Sequence, residues 1–473
     1  MNAVLPARNI ETASVLVIVL WVSLGLVSLA LYFAHAMNFQ MRAADNRVAN
    51  FEAAQVVEGA ARYITNVLGQ YATNGAAPDT LLFDSEAVQV GDATFWFIGR
   101  DTNLWQGTLT RPTFGLIDEA SKLNLNTATR AMLELLPGMT TELAGSIIDW
   151  RDTDSEVTDS GAEDDTYARL NPPYHCKNAP FESIEELRLV ANSNLRALFG
   201  EDVNLNGVLD PNEDDGEESF PYDNRDGRLD PGILEYVTVA TREPNTKGDG
   251  STRVNVSDPS QAAVASYLQQ QLGTQRANAI LRQFGVGSTG GGGRGGTGGT
   301  PPGGAGGGTP APTVRSVLEF ALLGGITADE LGPIEGDLTV TNATSLQGLI
   351  NVNTASTEVL ACVPGIGAES AQSVVAARAS NGTKGSSLMW IVDVLGRENA
   401  LTAAPYLTTR SYQFTADIVA IGHHNRGYQR VRFLVDMSDG TPRIRARRDL
   451  THLGWALGRE IREQADQLAS RKQ

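Results

Sequence analysis

Cysteine is nearly absent. Cys176 and Cys362 are the only two in 473 residues, and no C-x-x-C pair exists, which speaks against thiol redox catalysis and against zinc binding. Cys362 occupies an apolar position and reads as a small buried hydrophobe; a disulfide to Cys176 is open in an oxidising compartment. Basic residues are also scarce: 37 Lys and Arg face 55 Asp and Glu, a net charge of −18. No nucleophile–base pairing, nucleotide-binding glycine loop or catalytic metal spacing occurs, so the sequence does not read as an enzyme. The acids are concentrated. Between Glu201 and Glu235 there are twelve with two arginines, and between Asp149 and Asp165 eight with Arg151 alone. Such patches fit divalent cations or an exposed disordered loop, not nucleic acid.

Charge is missing altogether from Thr12 to Met41. Within that stretch Ser14 to Ala34 approaches the ~20 residues that span a bilayer, so this is a membrane helix or a secretion signal. A signal peptide would stop sooner, at a small-x-small site. Here a helical pattern continues through Phe51, Ala54, Val57, Ala61, Ile64, Leu68 and Tyr71, three or four apart, which predicts one long rod.

Two copies of one segment organise the rest. LNLNTATRAMLELLPGMTTELAGSIIDWR (Leu123 to Arg151) and INVNTASTEVLACVPGIGAESAQSVVAAR (Ile350 to Arg378) align without a gap. Each reads as a strand end, a Thr cap, a short helix, a Pro-Gly turn and a second helix: a helix-hairpin-helix. Such a turn can hold a DNA phosphate on backbone N–H groups, or the motif can simply build a small helical domain. DNA binding needs clustered Lys and Arg. The first copy has Arg130 and Arg151 against Glu134, Glu142 and Asp149, the second only Arg378 against Glu358 and Glu369, so the structural use is favoured and no specific nucleic acid is expected. Ala262 to Phe284 reads as a degenerate third copy lacking Pro-Gly, after the Asn255 lead-in. Ser183 and Ser316 open comparable helices, and Glu235 to Ala240 and Asp337 to Thr341 read as comparable strands.

Strands are predicted at Ala93 to Gly99 and Thr113 to Ile117, and three more at Tyr412 to Ile421, Tyr428 to Asp436 and Arg443 to Arg448. Arg443, Arg445 and Arg447 are expected on one sheet face with Arg430 and Arg432, a solvated face or a docking surface for an acidic partner. His423-His424 has no carboxylate or Cys at ligand spacing and receives no role. The fold class that follows is α+β: a long N-terminal helix on an antiparallel sheet, with an inserted helical domain of helix-hairpin-helix repeats. The expected segments are 1–13 preceding the apolar run (a leader on the resemblance given below), 14–36 membrane helix, 37–122 helix and first strands, 123–284 hairpin domain with acidic loops, 285–313 Gly/Pro-rich flexible linker, 314–404 second hairpin module, 405–455 C-terminal strands and 456–473 tail.

One acidic stretch matches a known metal-binding loop. From Asp202 to Glu213 the twelve-residue EF-hand pattern is met: Asp202, Asn204 and Asn206 at positions 1, 3 and 5, Gly207 at 6, the Val208 carbonyl at 7, Asp210 at 9 and Glu213 at 12. This predicts structural Ca²⁺. A weaker echo runs from Asn224 to Asp230 without acids at its first and twelfth positions, and Asp152, Asp154, Glu163 and Asp164 form a looser cluster.

SVLVIVLWV (Ser14 to Val22), DEASKLNLNTATRAMLELLPG (Asp118 to Gly138), IIDWRDTD (Ile147 to Asp154), GAEDDTYARLNPPY (Gly161 to Tyr174), SIEELRLV (Ser183 to Val190) and INVNTASTEVL (Ile350 to Leu360) together resemble the K-type minor pseudopilins of type II secretion systems, general secretion pathway protein K. The resemblance covers most of the chain; the glycine linker, the extra repeat and Ala13, where the family's leader usually ends in Gly, depart from it. It implies a pilin-like fold and a structural protein at the tip of the pseudopilus. It also implies I- and J-type minor pseudopilins as partners, a single-pass inner-membrane location with a periplasmic bulk, and calcium in the helical domain. It further implies cleavage by prepilin peptidase between Ala13 and Ser14. The fifth mature residue is then Ile18, where ordinary pilins carry a Glu that pairs with the amine of the subunit ahead; a tip subunit has none ahead. The contrasting reading is a membrane-tethered DNA-uptake receptor, because competence proteins carry similar hairpins, short and basic.

Overall fold

The computed structural model describes residues 11–78, 82–100, 111–286, 313–381 and 387–471; the leader residues 1–10 and most of the glycine-rich linker, 287–312, lie outside them. The apolar run does continue as one helix, α1 (Glu11–Gly69). Its first half, from Val15 to Phe33, exposes its large apolar side chains, and it is long and apolar enough to cross a membrane. The second half packs on a sheet through Ala53, Val57, Ala61, Ile64 and Leu68, all buried. Phe51, expected on that face, is 68% exposed. The buried stripe instead starts at Ala49, because a sheet turn crosses the helix there: a Cβ added at Gly422 would meet the Ala49 carbonyl oxygen at 2.4 Å, so only a small residue fits.

The sheet has six strands. β1 (Val88–Val90), β2 (Ala93–Ile98), β3 (Ile117–Asp118), β4 (Gln413–Ile421), β5 (Tyr428–Asp436) and β6 (Arg443–Asp449) run in the order β1-β2-β4-β5-β6, with β3 also on β4. All pairings are antiparallel. β3 is shorter than its sequence suggests; Phe114 makes only an isolated bridge to Ile98. β4, the central strand, is buried along its whole length, since α1 covers one face and the Trp96, Ile98, Val419 and Leu457 cluster the other. The arginines do not share a face. A bulge between Leu434 and Val435 changes the register of β6, setting Arg447 opposite Phe433 on the α1 side while Arg432 pairs with Arg448 on the other, and Arg430 is fully buried. The C-terminal tail contains a helix, Gly458–Arg471.

Everything from Glu119 to Tyr412 is inserted between β3 and β4. Three units build it, each closed by a two-residue parallel pair: Leu123–Asn124 with Val237–Thr238, Val254–Asn255 with Leu338–Thr339, and Ile350–Asn351 with Leu407–Thr408. Each lead-in Asn turns the chain the same way, its Oδ1 accepting the N–H two residues on: Asn126 to Asn124, Ser257 to Asn255, Asn353 to Asn351. The hairpins are α2 (Arg130–Leu133) with α3 (Thr141–Arg151), α4 (Ala262–Leu272) with α5 (Thr274–Gln283), and α6 (Thr357–Ala361) with α7 (Gly367–Asn381), so the degenerate middle copy is a real unit. Ser316 caps the helix Val317–Gly324, whereas the segment after Ser183 is a 3₁₀ helix, Ile184–Leu189. Asp118 of β3 ties the sheet to the last unit, accepting from Asn351, Thr354 and Ser411; burial pushes its carboxyl up to about 6.

Candidate metal centres and the hairpin turns

The Asp202–Glu213 loop folds around its own side chains. Leu205 and Gly207 take left-handed φ of 55° and 72°, the sharp turn that position 6 requires. Asp202 receives the Asn206 and Gly207 N–H groups, both at 2.9 Å. Asn204 and Asn206 each donate to Asp210 Oδ2, at 2.7 and 3.0 Å. Glu213 Oε2 accepts from the Asp210 N–H at 3.1 Å. Asp202, Asn206 and Glu213 are each 1% exposed. Burial raises the carboxyls of Asp202 and Asp210, and burial together with the neighbouring Asp202 pushes Glu213 up to about 9. Asp202 and Glu213, buried, and Asp210, half-buried, each resist their own charge in an oxygen-rich turn, a setting that a hard dication would neutralise. The predicted ligand residues Asp202, Asn204, Asn206, Val208, Asp210 and Glu213 thus share one turn, but the carboxylates of Asp202, Asp210 and Glu213 are not gathered within 4.8 Å of one another as those of the third cluster are.

The sheet holds this loop from outside. Arg430 donates to the carbonyls of Asn204 and Leu205 at 2.5 and 2.7 Å, and Arg100 to those of Leu205 and Asn206 at 2.9 and 3.3 Å. Asp417 on β4 balances Arg430, bonded at 2.8 and 2.9 Å with both side chains at 0% exposure, and also takes Arg432 at 2.7 Å. The two arginines hold Asp417 well below the usual carboxylate range despite its burial.

The echo is more complete than its sequence. Arg225 and Gly227 repeat the left-handed pair, at 55° and 74°. Asn224 donates to Asp230 at 3.1 Å as Asn204 does to Asp210, and Asp226 Oδ1 accepts from Arg228 as Asn206 Oδ1 does from Val208. The acids missing from positions 1 and 12 arrive from elsewhere. Asp214 takes the Gly227 N–H at 3.1 Å, the part Asp202 plays for Gly207, and Glu201 takes the Asp230 N–H at 2.9 Å, the part of Glu213. Sequence pattern missed both, because the loop borrows ligands instead of following register; the twenty-residue offset between Gly207 and Gly227 was the available signal.

In the third cluster, acceptor oxygens of Asp152, Asp154 and Glu163 lie within 4.8 Å of one another. Asp149 Oδ2, Asp152 Oδ1 and both oxygens of Glu163 are buried without a hydrogen-bond partner; the adjacent Cys176 thiol is directed at the Asp149 carbonyl, 3.6 Å away. Burial, then neighbouring acids, raise the carboxyls of Asp152 and Glu163. Orphaned anionic oxygens at this depth fit a cation. Asp164, expected in the group, is turned away to the Cys176 N–H at 2.7 Å and to His175; the buried Asp149 carboxylate is a neighbouring charge to Glu163. Cys176 and Cys362 are both free and buried, so they form no disulfide.

The shared arginine of both hairpins and the turn of the second are engaged internally, while a Cβ on Gly138 in the first turn would meet nothing within 4 Å. Arg151 donates to the carbonyls of Leu125 and Ala128, and Arg378 to those of Val352 and Ala355. The one basic residue shared by the two copies thus closes its own hairpin onto its lead-in. The Pro364–Gly365 turn is covered as well: a Cβ on Gly365, φ 85°, would lie 2.5 Å from the Asn399 carbonyl oxygen.

Residues 117–198 match the family model for protein K of the type II secretion system (T2SS), and residues 346–387 match that of the helix-hairpin-helix motif. None of the curated proteins matches the chain significantly. Among solved structures, a chain of the GspK-GspI-GspJ complex from the type 2 secretion system of enterotoxigenic Escherichia coli aligns over 88% of this chain and 99% of its own, at 10% identity and a TM-score of 0.35, a likeness too distant to carry residues or partners across. The protein K match falls on β3, the first hairpin and the Asp149–Glu163 cluster, the stretch richest in the residues by which the sequence resembles that family, and over these residues the chain is similar to protein K of the type II secretion system.

Proposed function

We propose that this protein is the structural tip subunit of the pseudopilus, acting in protein secretion across the outer membrane in complex with the I- and J-type minor pseudopilins. In this reading α1 crosses the inner membrane once, prepilin peptidase has released the leader between Ala13 and Ser14, and the bulk of the chain is periplasmic. The observation that carries the tip position is Ile18. An apolar fifth residue has no carboxylate to offer the amine of a subunit ahead, so it suits the one place with no subunit ahead. The three acidic centres take Ca²⁺ as structural ions, held by Asp202, Asn204, Asn206, Asp210 and Glu213 with the Val208 carbonyl, by Glu201, Asp214, Asn224, Asp226 and Asp230, and by Asp149, Asp152, Asp154 and Glu163. The ions supply charge compensation; the chain supplies the preformed turns and the arginine buttress behind the first loop.

The covered turn at Gly365 and the inward use of Arg151 and Arg378 support a structural hairpin over a DNA-binding one. Phosphate contacts need free donors and released counterions. Co-expression of the full chain with I- and J-type minor pseudopilins of the same secretion system, followed by native mass spectrometry, is expected to give a stoichiometric ternary complex. Absence of any complex, with sub-micromolar duplex DNA binding at physiological salt, would overturn the reading in favour of the DNA receptor.

A further inference from the structure

His423 and His424, which the sequence left without a role, sit where the β4–β5 turn meets α1. Asp45 and Glu52 are seven residues apart, two helical turns, and so share one face of α1. Between them the turn lies against the helix backbone: a Cβ on Gly427 would come within 2.3 Å of the Ala49 carbonyl carbon. That close approach delivers the imidazoles. His423 Nε2 is 3.0 Å from Asp45 Oδ1, and its Nδ1 is 2.7 Å from Glu52 Oε2. His424 takes the left-handed conformation, φ 55° and ψ 28°, which folds its ring back beside that of His423, centroids 5.2 Å apart. One donor atom each from Asp45, His423 and His424 lie within 4.8 Å of one another. Arg426 occupies the other oxygen of Asp45, Oδ2.

We propose that Asp45, His423 and His424 form a Zn²⁺ site that staples α1 to the β4–β5 turn. Two imidazoles and one carboxylate are a borderline-soft donor set that suits zinc and not calcium, so the site is chemically distinct from the acidic loops and independent of the pseudopilus reading. Ligands at about 2.0–2.2 Å from a tetrahedral ion lie roughly 3.3 Å apart, which the existing Asp45–His423 separation nearly meets. The outer partners are in place too. Glu52 receives the Nδ1 proton of His423, fixing the tautomer that presents Nε2, and Arg426 orients Asp45 so that Oδ1 is left for the metal. A fourth position remains for water, as His424 is on the surface. The low cysteine content that spoke against zinc bears only on thiolate sites; here the ligands come from residues almost 380 positions apart in sequence.

The test uses the full chain in detergent with excess Ca²⁺, so that oxygen-only centres are filled. Titration with Co²⁺ is expected to give the visible d–d bands of low-coordinate cobalt at one equivalent, abolished by one equivalent of Zn²⁺. His424→Ala, at an exposed position, should weaken Zn²⁺ binding on the order of 100-fold without changing the zinc-free melting curve, and Glu52→Gln should weaken it by about 10–100-fold. Octahedral cobalt spectra, or equal Zn²⁺ affinity in wild type and His424→Ala, would overturn the proposal.

Discussion

Asp417→Asn tests how the sheet supports the Asp202–Glu213 loop. The substitution keeps shape and removes one charge. Arg432 is 18% exposed at its side chain and can turn to water, but Arg430 is at 0% and cannot. It keeps its bonds to the Asn204 and Leu205 carbonyls and loses its counter-charge. Removing one partner of such a buried pair costs about 3–5 kcal/mol, or roughly 6–20 °C of melting temperature at 2–4 °C per kcal/mol. The sign with pH follows from the depressed carboxyl of Asp417. Its contribution is present in full above the ordinary unfolded value near ~3.9, and is lost as pH falls through the lower folded value. Differential scanning calorimetry should therefore show a constant gap between wild type and variant from about pH 5 to 8, beginning to close below about pH 4. The stabilisation gained from Ca²⁺ should also shrink in the variant, since Arg430 would no longer hold the loop carbonyls firmly. A loss under about 1 kcal/mol at neutral pH, the range of a surface ion pair, would refute the buried-network reasoning.

Chelation with EGTA is expected to lower the melting temperature, by about 2.7 kcal/mol of linkage per site when free Ca²⁺ had stood at 100 times its Kd. Ca²⁺ should restore it better than Mg²⁺, and Glu213→Ala should remove much of the effect; identical melting with and without calcium would refute all three centres. Glu201→Gln with Asp214→Asn should lower calcium stoichiometry by one while leaving the Glu213 response intact. Mass spectrometry of the mature protein is expected to find Ser14 at the N-terminus, and an intact leader in cells possessing the peptidase would contradict that.

Local signals read well from the sequence because their physics is local. Apolar periodicity gave α1, turn residues gave the ends of β4 and β5, and the Asn lead-ins with helix-hairpin spacing gave all three hairpin units, including the one without Pro-Gly. The Asp202–Glu213 loop was legible for the same reason: an EF-hand loop writes most of its ligands into twelve consecutive positions. Contacts between distant segments were not legible. Glu201 and Asp214 complete the echo loop from outside its register, and Asp164 turns away from the third cluster because only the fold decides which carboxylate of an acidic run points inward. A single bulge at Leu434/Val435 moved Arg447 to the opposite face from Arg432, and side-chain period alone cannot reveal a bulge. Arg430, which looks like a surface charge in a basic strand, is buried because Asp417, diagonal to it on β4, and two loop carbonyls accept its donors. The sequence by itself thus determined the elements, the repeat and the turn of the Asp202–Glu213 loop. Tertiary structure decided which charges meet, because a buried charge is tolerated only where its partners converge, and convergence is a property of the packed chain.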